Sequence, residues 1–284
     1  MEELKTEDAA PEETGTEENK KRKNWPLIIL IFCVSVALAI VSGLKIAIEL
    51  ISRHQANSYY EAVHVDFEEK SSGAGNNREL FNEINDKFEG IRAAAVDEGS
   101  EYDNRFLRPT SFTSVAWLRC EDTKIDYPVM QAYNNEYYLS RLPDGKENKN
   151  GSLFLDFRNS PDFTDKNSVI YGHHMKSGEM FTTLKYFNSQ SYYDEHPTMQ
   201  LYTPDTDYTV VLFGGYIIDA LSESIPMYFL EPNDFENYVA EVKKRSVFKS
   251  NVEVSADDRI VSLVTCSYEF DDARMLIAGI LVEN

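Results

Sequence analysis

The sequence predicts a mainly β protein, built as a β-barrel or a β-sandwich, and two features support this fold class. The first is a succession of short runs rich in β-branched and aromatic residues. These runs are 115–118, 125–131, 152–157, 168–173, 198–202, 208–218, 259–266 and 275–282. The second is the small number of helical patterns among them. Many short strands with few helices are typical of barrels and sandwiches.

The connections between these runs are predicted to be one tight hairpin and a few helical segments. Residues 121–124 separate the first two runs and predict the hairpin. Three segments have the helical spacing of apolar residues. They are 78–96, 180–187 and 235–242, the last with Asp234 as a candidate N-cap.

An apolar run near the N-terminus predicts a membrane span. Residues 27–44 carry no charge and the apolar character continues to Ile51, while a span needs roughly 20 residues. Trp25 suits the interface, and the basic cluster 20–23 is expected to stay in the cytoplasm. We therefore expect a single-pass protein of the cell membrane with a cytoplasmic tail at 1–24, an anchor at 25–51, a linker at 52–77 and an extracellular domain at 78–284.

A cleaved signal peptide is the alternative interpretation of this run. Residues 37–39 read Ala-Leu-Ala after an apolar stretch and resemble a cleavage site. The residues that follow remain largely apolar as far as Ile51, where a mature N-terminus would usually turn polar. This continuation favours an uncleaved anchor.

Charge and cysteine content exclude several classes of function. The formal net charge is −20, from 48 acidic and 28 basic side chains, and phosphate binding needs a basic surface. We therefore expect no nucleic-acid partner. Cys33, Cys120 and Cys266 are odd in number and widely spaced, which suggests neither a disulfide framework nor a metal site. We expect no metal and no organic cofactor.

Three side chains with complementary chemistry stand at predicted strand ends. Cys266 ends one apolar run, Arg274 opens the next, and His173 closes an earlier run. If the last two strands pair antiparallel, Cys266 and Arg274 become near neighbours, because paired strands lie about 4.8 Å apart. The pattern therefore predicts a thiol beside a guanidinium.

These residue types suit nucleophilic acyl transfer. A free thiol has a pKa of about 8.5 and needs a neighbouring cation or base to react as a thiolate. Histidine exchanges protons near neutral pH, and arginine can stabilise an oxyanion. A buried cysteine, a surface histidine and an ion-paired arginine would explain the same composition, which alone does not decide between the two interpretations.

Longer motifs favour the catalytic interpretation. Leu263-Val-Thr-Cys266, followed by Arg274, resembles the Thr-Leu-x-Thr-Cys…Arg signature of sortases, and Val169-Ile-Tyr-Gly-His-His-Met175 resembles their histidine motif. Upstream blocks at 117–118, 125–131, 135–139 and 151–158 look most like class B, and the resemblance covers about 78–284. Ser262 and Val264 depart from it, because the family often has Thr and Ser there. The second departure puts a hydroxyl contact at that position in doubt.

This resemblance implies a fold and an activity. The fold is a closed eight-stranded sortase-type β-barrel with an N-terminal helix and a helix before the cysteine strand. The activity is that of a cysteine transpeptidase, which cleaves a secreted protein after the Thr of a C-terminal Asn/Ser-Pro-x-Thr sorting signal and passes it to a peptidoglycan amine. Cys266 would be the nucleophile, His173 the acid/base and Arg274 the oxyanion or substrate clamp.

Further positions follow from the same resemblance. His173 is preferred to His174 because the family histidine directly follows the glycine, and strand neighbours point to opposite faces. The expected substrate-binding residues are Asn135, Leu139, Tyr171, Thr265, Ile225 and Tyr228. Roles in turns or core packing remain open for them.

Three other functions stay open at this point. The first is a pilin-polymerising sortase, whose acceptor is a protein lysine. The second is a hydrolytic cysteine protease on the same scaffold. The third is a membrane-tethered binding domain without activity, against which the complete Cys/His/Arg set argues.

Overall fold

The structure is a computed structural model, and it describes residues 16–70, 77–87, 113–231, 233–266 and 273–284. These residues fall into two compact units, divided between Ile51 and Ser52. The helices are α1 (Thr16–Lys70), α2 (Arg78–Lys87), α3 (Gln190–Glu195) and α4 (Asp234–Arg245), with 3₁₀ helices at Tyr137–Leu139 and Phe181–Asn188. The part of the predicted helix 78–96 beyond Lys87 lies outside the described residues.

Eight strands form a closed barrel in the second unit, which confirms the predicted fold class. They are β1 (Thr113–Arg119), β2 (Asp126–Gln131), β3 (Leu153–Leu155), β4 (Asn167–Gly172), β5 (Thr198–Tyr202), β6 (Asp207–Asp219), β7 (Ile260–Cys266) and β8 (Ala273–Glu283). Around the barrel the order is β1-β2-β3-β4-β7-β8-β6-β5. The pairs β2/β3 and β4/β7 are parallel and the others are antiparallel. Closure leaves no free sheet edge.

Helix α1 contains a candidate membrane anchor. Within α1, the stretch Trp25–Val65 is long and apolar enough to cross a membrane, judged by length and composition alone. Its apolar side chains are exposed over the predicted span, as Leu30 and Phe32 illustrate. Side chains of this kind are stable when lipid surrounds them.

The predicted linker 52–77 contains helical residues that are part of the barrel unit. α1 continues to Lys70, and its buried side chains Ala56, Tyr60, Val63 and Phe67 recur at the spacing that lines one helical face. Phe67 stacks on Trp117 of β1 with ring centroids 4.2 Å apart. This apolar face explains why the segment is helical rather than an open connection.

A polar network fastens the same helix to β1 and β2. The Asp126 carboxylate accepts hydrogen bonds from Trp117 Nε1 at 2.6 Å and Arg119 Nε at 3.2 Å, and it lies 2.6 Å from His64 Nε2. Arg119 also pairs with Glu68. His64, Glu68 and Asp126 are close enough together to hold a metal ion, and Arg119 pairs with both of the carboxylates.

Two predicted helices differ in detail from the structure. The segment at 180–187 is a 3₁₀ helix rather than an α-helix, and Phe181, Leu184 and Phe187 are buried at the three-residue repeat of that geometry. Asp234 is not the N-cap of α4, because Asn233 holds that position. The Asp234 carboxylate instead accepts a hydrogen bond from the backbone of Glu231 in the preceding loop, at 3.0 Å.

Candidate active site

The strand register brings three predicted residues to one end of the barrel. In the parallel β4/β7 pair, Gly172 lies opposite Thr265, so His173 follows at the level of Cys266. In the antiparallel β7/β8 pair, Cys266 lies opposite Arg274, as the hairpin argument predicted. The side chain of Cys266 lies outside the described residues, so its position rests on the backbone.

A cavity of about 300 Å³ opens at this end of the barrel. Its described lining residues are Asn135, Leu139, Phe154, Tyr171, Gly172, His173, Val264, Thr265 and Arg274. Six of these are predicted site residues, so the structure brings most of the set together. Ile225 and Tyr228 are not among the described lining residues.

Phe154 and Val264 line the cavity although the sequence analysis did not place them there. Phe154 pairs with Tyr171 across β3 and β4, and their rings lie 5.4 Å apart. Val264 presents an apolar side chain at the position where a hydroxyl contact was in doubt. Strand pairing could have indicated both residues, because Phe154 and Val264 each lie opposite Tyr171, which is a predicted site residue.

His173 is held by a backbone carbonyl. Its Nε2 lies 2.6 Å from the carbonyl oxygen of Leu139. Because a carbonyl only accepts, Nε2 must carry the proton in this contact. His174 forms a backbone bridge with Met180 instead and is not among the described lining residues.

Arg274 places its guanidinium at the same cavity. The side chain is half-buried, and Nη1 donates to the carbonyl of Ala273 at 3.0 Å. A guanidinium has five N–H donors, and this bond uses one of them. The group can therefore bring a permanent positive charge and further donors to a developing oxyanion.

Gly151 lies beneath the cavity wall in a conformation that favours glycine. Its φ is +59°, and an added Cβ would lie 2.7 Å from the carbonyl oxygens of Tyr138 and Leu139 and 3.1 Å from His173 Cδ2. The Gly151 carbonyl in turn accepts a hydrogen bond of 2.7 Å from the Tyr60 hydroxyl of α1. The helix therefore contacts the segment that supports His173.

Replacing Gly151 by alanine is expected to lower both stability and catalytic efficiency. The positive φ alone costs a non-glycine residue about 1–2 kcal/mol, and the new methyl group would displace Leu139 and His173. Gly178→Ala is the matched control, because its φ of +90° is also positive, while the nearest atom is the flexible Lys124 Nζ at 3.4 Å. Thermal melting and kcat/KM measure the two effects. Normal kcat/KM in Gly151→Ala would contradict the expectation.

Asp156 connects several parts of the cavity wall. This fully buried carboxylate accepts hydrogen bonds from Arg158, Asn135 and Tyr171. Burial alone would raise its pKa, but the bonds from Arg158 and Asn135 outweigh burial and lower the pKa of Asp156. The group is therefore ionised at neutral pH. Tyr228, which stays a predicted groove residue, donates to the Arg158 carbonyl at 2.7 Å.

Known proteins share this architecture. A family model described as the sortase domain matches residues 118–282. Sortase B of Listeria monocytogenes is 33% identical over 251 residues, covering 88% of this chain and 94% of the relative. A solved Staphylococcus aureus sortase B–substrate complex aligns with a TM-score of 0.69 at 25% identity, covering 82% of this chain and 99% of that chain.

A closed barrel with this strand order and these motifs is that of a cysteine transpeptidase. The chain belongs to the sortase family, and within it to class B. Its partners are, in general terms, a substrate with a sorting signal and an amine that accepts the acyl group. The N-terminal apolar helix is a candidate membrane anchor.

Proposed function

We propose that this sortase cleaves a C-terminal signal of the Asn/Ser-Pro-x-Thr type after its Thr and joins the protein to a peptidoglycan-precursor amine. The observation that carries the proposal is the cavity lined by His173 and Arg274 at the barrel end where Cys266 pairs with Arg274. A protein of the same fold was solved as a sortase B–substrate complex, which supports a substrate for this chain.

The proposed reaction has two acyl transfers. The Cys266 thiolate attacks the Thr carbonyl carbon, and Arg274 stabilises the oxyanion of the tetrahedral intermediate. The C–N bond then breaks as His173 gives a proton to the leaving amine, which leaves a thioester on Cys266. In the second step the acceptor amine attacks the thioester, His173 takes a proton from that amine, and Cys266 leaves as thiolate.

Four of the remaining predicted residues are assigned to direct substrate binding. Asn135, Leu139, Tyr171 and Thr265 line the cavity beside His173 and Arg274, which supports direct contacts with the signal peptide. Ile225 packs, partly buried, against the core cluster that includes Phe235. Tyr228 is assigned an indirect role through Arg158.

The proposed location is the cell membrane, with a cytoplasmic N-terminus and an extracellular barrel unit. The basic cluster 20–23 before the apolar run supports this orientation, because such flanks stay on the cytoplasmic side. The substrates would then be secreted proteins that reach the outer face of the membrane.

Product analysis tests the proposed function. The full-length chain is incubated with an Asn-Pro-Ala-Thr signal peptide, with and without an amine-bearing peptidoglycan stem peptide, and the products are identified by mass spectrometry. We expect cleavage after Thr and, with the amine, an amide-linked product. Hydrolysis alone in the presence of amine would indicate a protease, transfer only to a lysine of a pilin-type peptide would indicate a pilin polymerase, and absence of cleavage would contradict the proposal.

A further inference from the structure

A second cavity, of about 630 Å³, lies apart from the catalytic one. Its described lining residues include three lysines and several hydroxyl-bearing side chains, namely Lys124, Lys176, Lys185, Thr183, Tyr186 and Tyr192. None of its described lining residues also lines the cavity beside His173. The proposed reaction does not use this second cavity, so its composition points to another ligand.

The charge of this cavity is opposite to that of the whole chain. The chain carries a formal net charge of −20, whereas the three lysines face a single described acidic lining residue, Asp122. Basic side chains gathered on an acidic protein indicate an anionic ligand, because the rest of such a surface repels anions. Ammonium and hydroxyl groups are donors that suit phosphate oxygens. The volume lies within the range of cavities that hold small ligands.

The wall that carries Lys176 is a loop held by its own hydrogen bonds. The Thr182 hydroxyl accepts the Met175 backbone N–H at 2.7 Å and donates to the Glu179 carbonyl at 2.6 Å. Gly178 has a φ of +90°, which favours glycine, and its N–H donates to the Met175 carbonyl at 3.0 Å. These bonds keep Lys176 at the cavity wall.

The carboxylate behind this loop does not cancel the positive charge. Glu179 is buried, and it pairs with Arg53 at 3.0 Å and with Lys124 at 3.7 Å. Two cations against one carboxylate leave a net positive charge at this rim, to which Lys176 adds. The Lys185 ammonium lies 5.1 Å from the ring centroid of Tyr186, which also lines the cavity.

The same loop is bonded to the start of the barrel unit, next to the apolar anchor. Arg53 Nη2 donates to the Ser177 carbonyl at 3.3 Å and to the Glu179 carboxylate at 3.0 Å. The apolar run ends at Ile51, and two residues of chain span at most about 7 Å. A membrane that ends at Ile51 therefore places its headgroup layer, about 5–7 Å thick, within reach of this loop.

We propose that this cavity binds the phosphate of an anionic phospholipid headgroup and so docks the barrel unit on the outer surface of the membrane. The inference rests on the proposed location, in which the anchor ends at Ile51 and the barrel unit follows it outside. The lysines supply charge, and the hydroxyl groups supply further donors to the phosphate oxygens. Lipid is favoured over a soluble phosphate compound because Arg53 ties the cavity wall to the end of the anchor, where headgroups have a high effective concentration.

Lysine footprinting of the full-length chain in lipid nanodiscs tests the docking. Discs of phosphatidylglycerol and of phosphatidylcholine are compared, an amine-acetylating reagent is applied in brief pulses, and mass spectrometry gives the acetylation rate of each lysine. We expect the three cavity lysines to react about 5-fold or more slowly in the anionic discs, since attraction to an anionic surface contributes about that factor for each basic residue. Lys243 and Lys244 of α4 are internal controls that line no described part of the cavity, and their rates should be the same in both lipids.

A pair of double variants separates this docking from general charge effects. Lys176→Gln combined with Lys185→Gln removes two charges, and Lys124 should then lose its protection in anionic discs. Lys243→Gln combined with Lys244→Gln removes the same charge and should keep that protection. Both variants should cleave the signal peptide in detergent at the wild-type rate, which checks their folding. Raising the salt to about 1 M shortens the screening length to about 3 Å and should remove the difference between the lipids.

Soluble glycerol phosphate, added to the neutral discs at matched phosphate concentration, distinguishes the source of the ligand. We expect it to leave the acetylation rates unchanged. Equal protection by this compound would indicate a site for soluble phosphates and would overturn the lipid assignment. Equal rates for the cavity lysines in both lipids, or an equal slowing of Lys243 and Lys244, would overturn the docking itself.

Failure of the proposed function gives different results. Extraction of the chain from membranes by sodium carbonate, with the cavity lysines still protected by phosphatidylglycerol vesicles, would count against the anchor and leave the cavity supported. Absence of signal-peptide cleavage, with the same lysines protected, would count against the proposed reaction alone.

Discussion

Replacing Cys266 by alanine is expected to reduce cleavage of a sorting-signal peptide more than about 10³-fold while the barrel stays folded. The thiolate forms the covalent intermediate, so its removal leaves only binding and electrostatic stabilisation. The rate at which the amine product is released under single-turnover conditions measures the loss, and circular dichroism checks the fold. Turnover close to wild type would refute the assignment of the nucleophile.

The other cysteine in the barrel unit provides the matched control. Burial raises the pKa of Cys120 to about 11, so at neutral pH this thiol stays protonated and unreactive. Cys120→Ala should therefore keep most of its activity. A thiol-reactive probe applied to the native protein should label the wild type and Cys120→Ala alike, and should lose its principal site of labelling in Cys266→Ala.

Replacing Arg274 by lysine is expected to lower the rate of acylation by about 10²-fold, with a smaller change in KM. Lysine keeps the positive charge but loses the planar fork, and losing one oxyanion donor typically costs about 10²–10³ in kcat. Because Arg274 lies opposite Cys266 in the β7/β8 pair, the shorter reach of the ammonium should affect the transition state more than the ground state. Stopped-flow acylation rates measure the effect.

Arg259→Lys is the control for this substitution. Arg259 begins the segment that enters β7, at the opposite end of the strand from Cys266, and pairs with Glu283. We expect its acylation rate to stay near wild type. Equal rates in Arg274→Lys and the wild type would remove Arg274 from the chemistry.

Sequence patterns identified the strands well, because short runs rich in β-branched and aromatic residues are typical of strands. The β7/β8 hairpin also predicted that Cys266 and Arg274 are opposite each other, since local pairing needs only a short connection. The parallel pairing of β4 with β7, which brings His173 to the same place, could not be read from the sequence. Parallel partners are joined by long crossovers, and their register depends on the closed barrel.

Two parts of the site escaped sequence analysis for different physical reasons. Phe154 and Val264 belong to strands buried on both faces, where alternation does not reveal which face lines a cavity. The Asp156 network draws Asn135 and Tyr171 from separate elements, so no spacing along the chain indicates it. Residues 52–70 have the spacing of apolar side chains that is typical of a helix. The glycine- and asparagine-rich run that follows is typical of a flexible connection, and the prediction extended this interpretation to the whole of 52–77.

The contact between Tyr60 and Gly151 has a practical consequence for preparing a soluble fragment. A fragment that starts at residue 78 would lack Tyr60 and Phe67, which would uncover Trp117 and leave the Gly151 carbonyl, next to His173, without its hydroxyl donor. A fragment that starts at Ser52 would keep both contacts and omit the apolar anchor. The choice of starting residue would then determine whether assays of the isolated barrel report the chemistry of the intact enzyme.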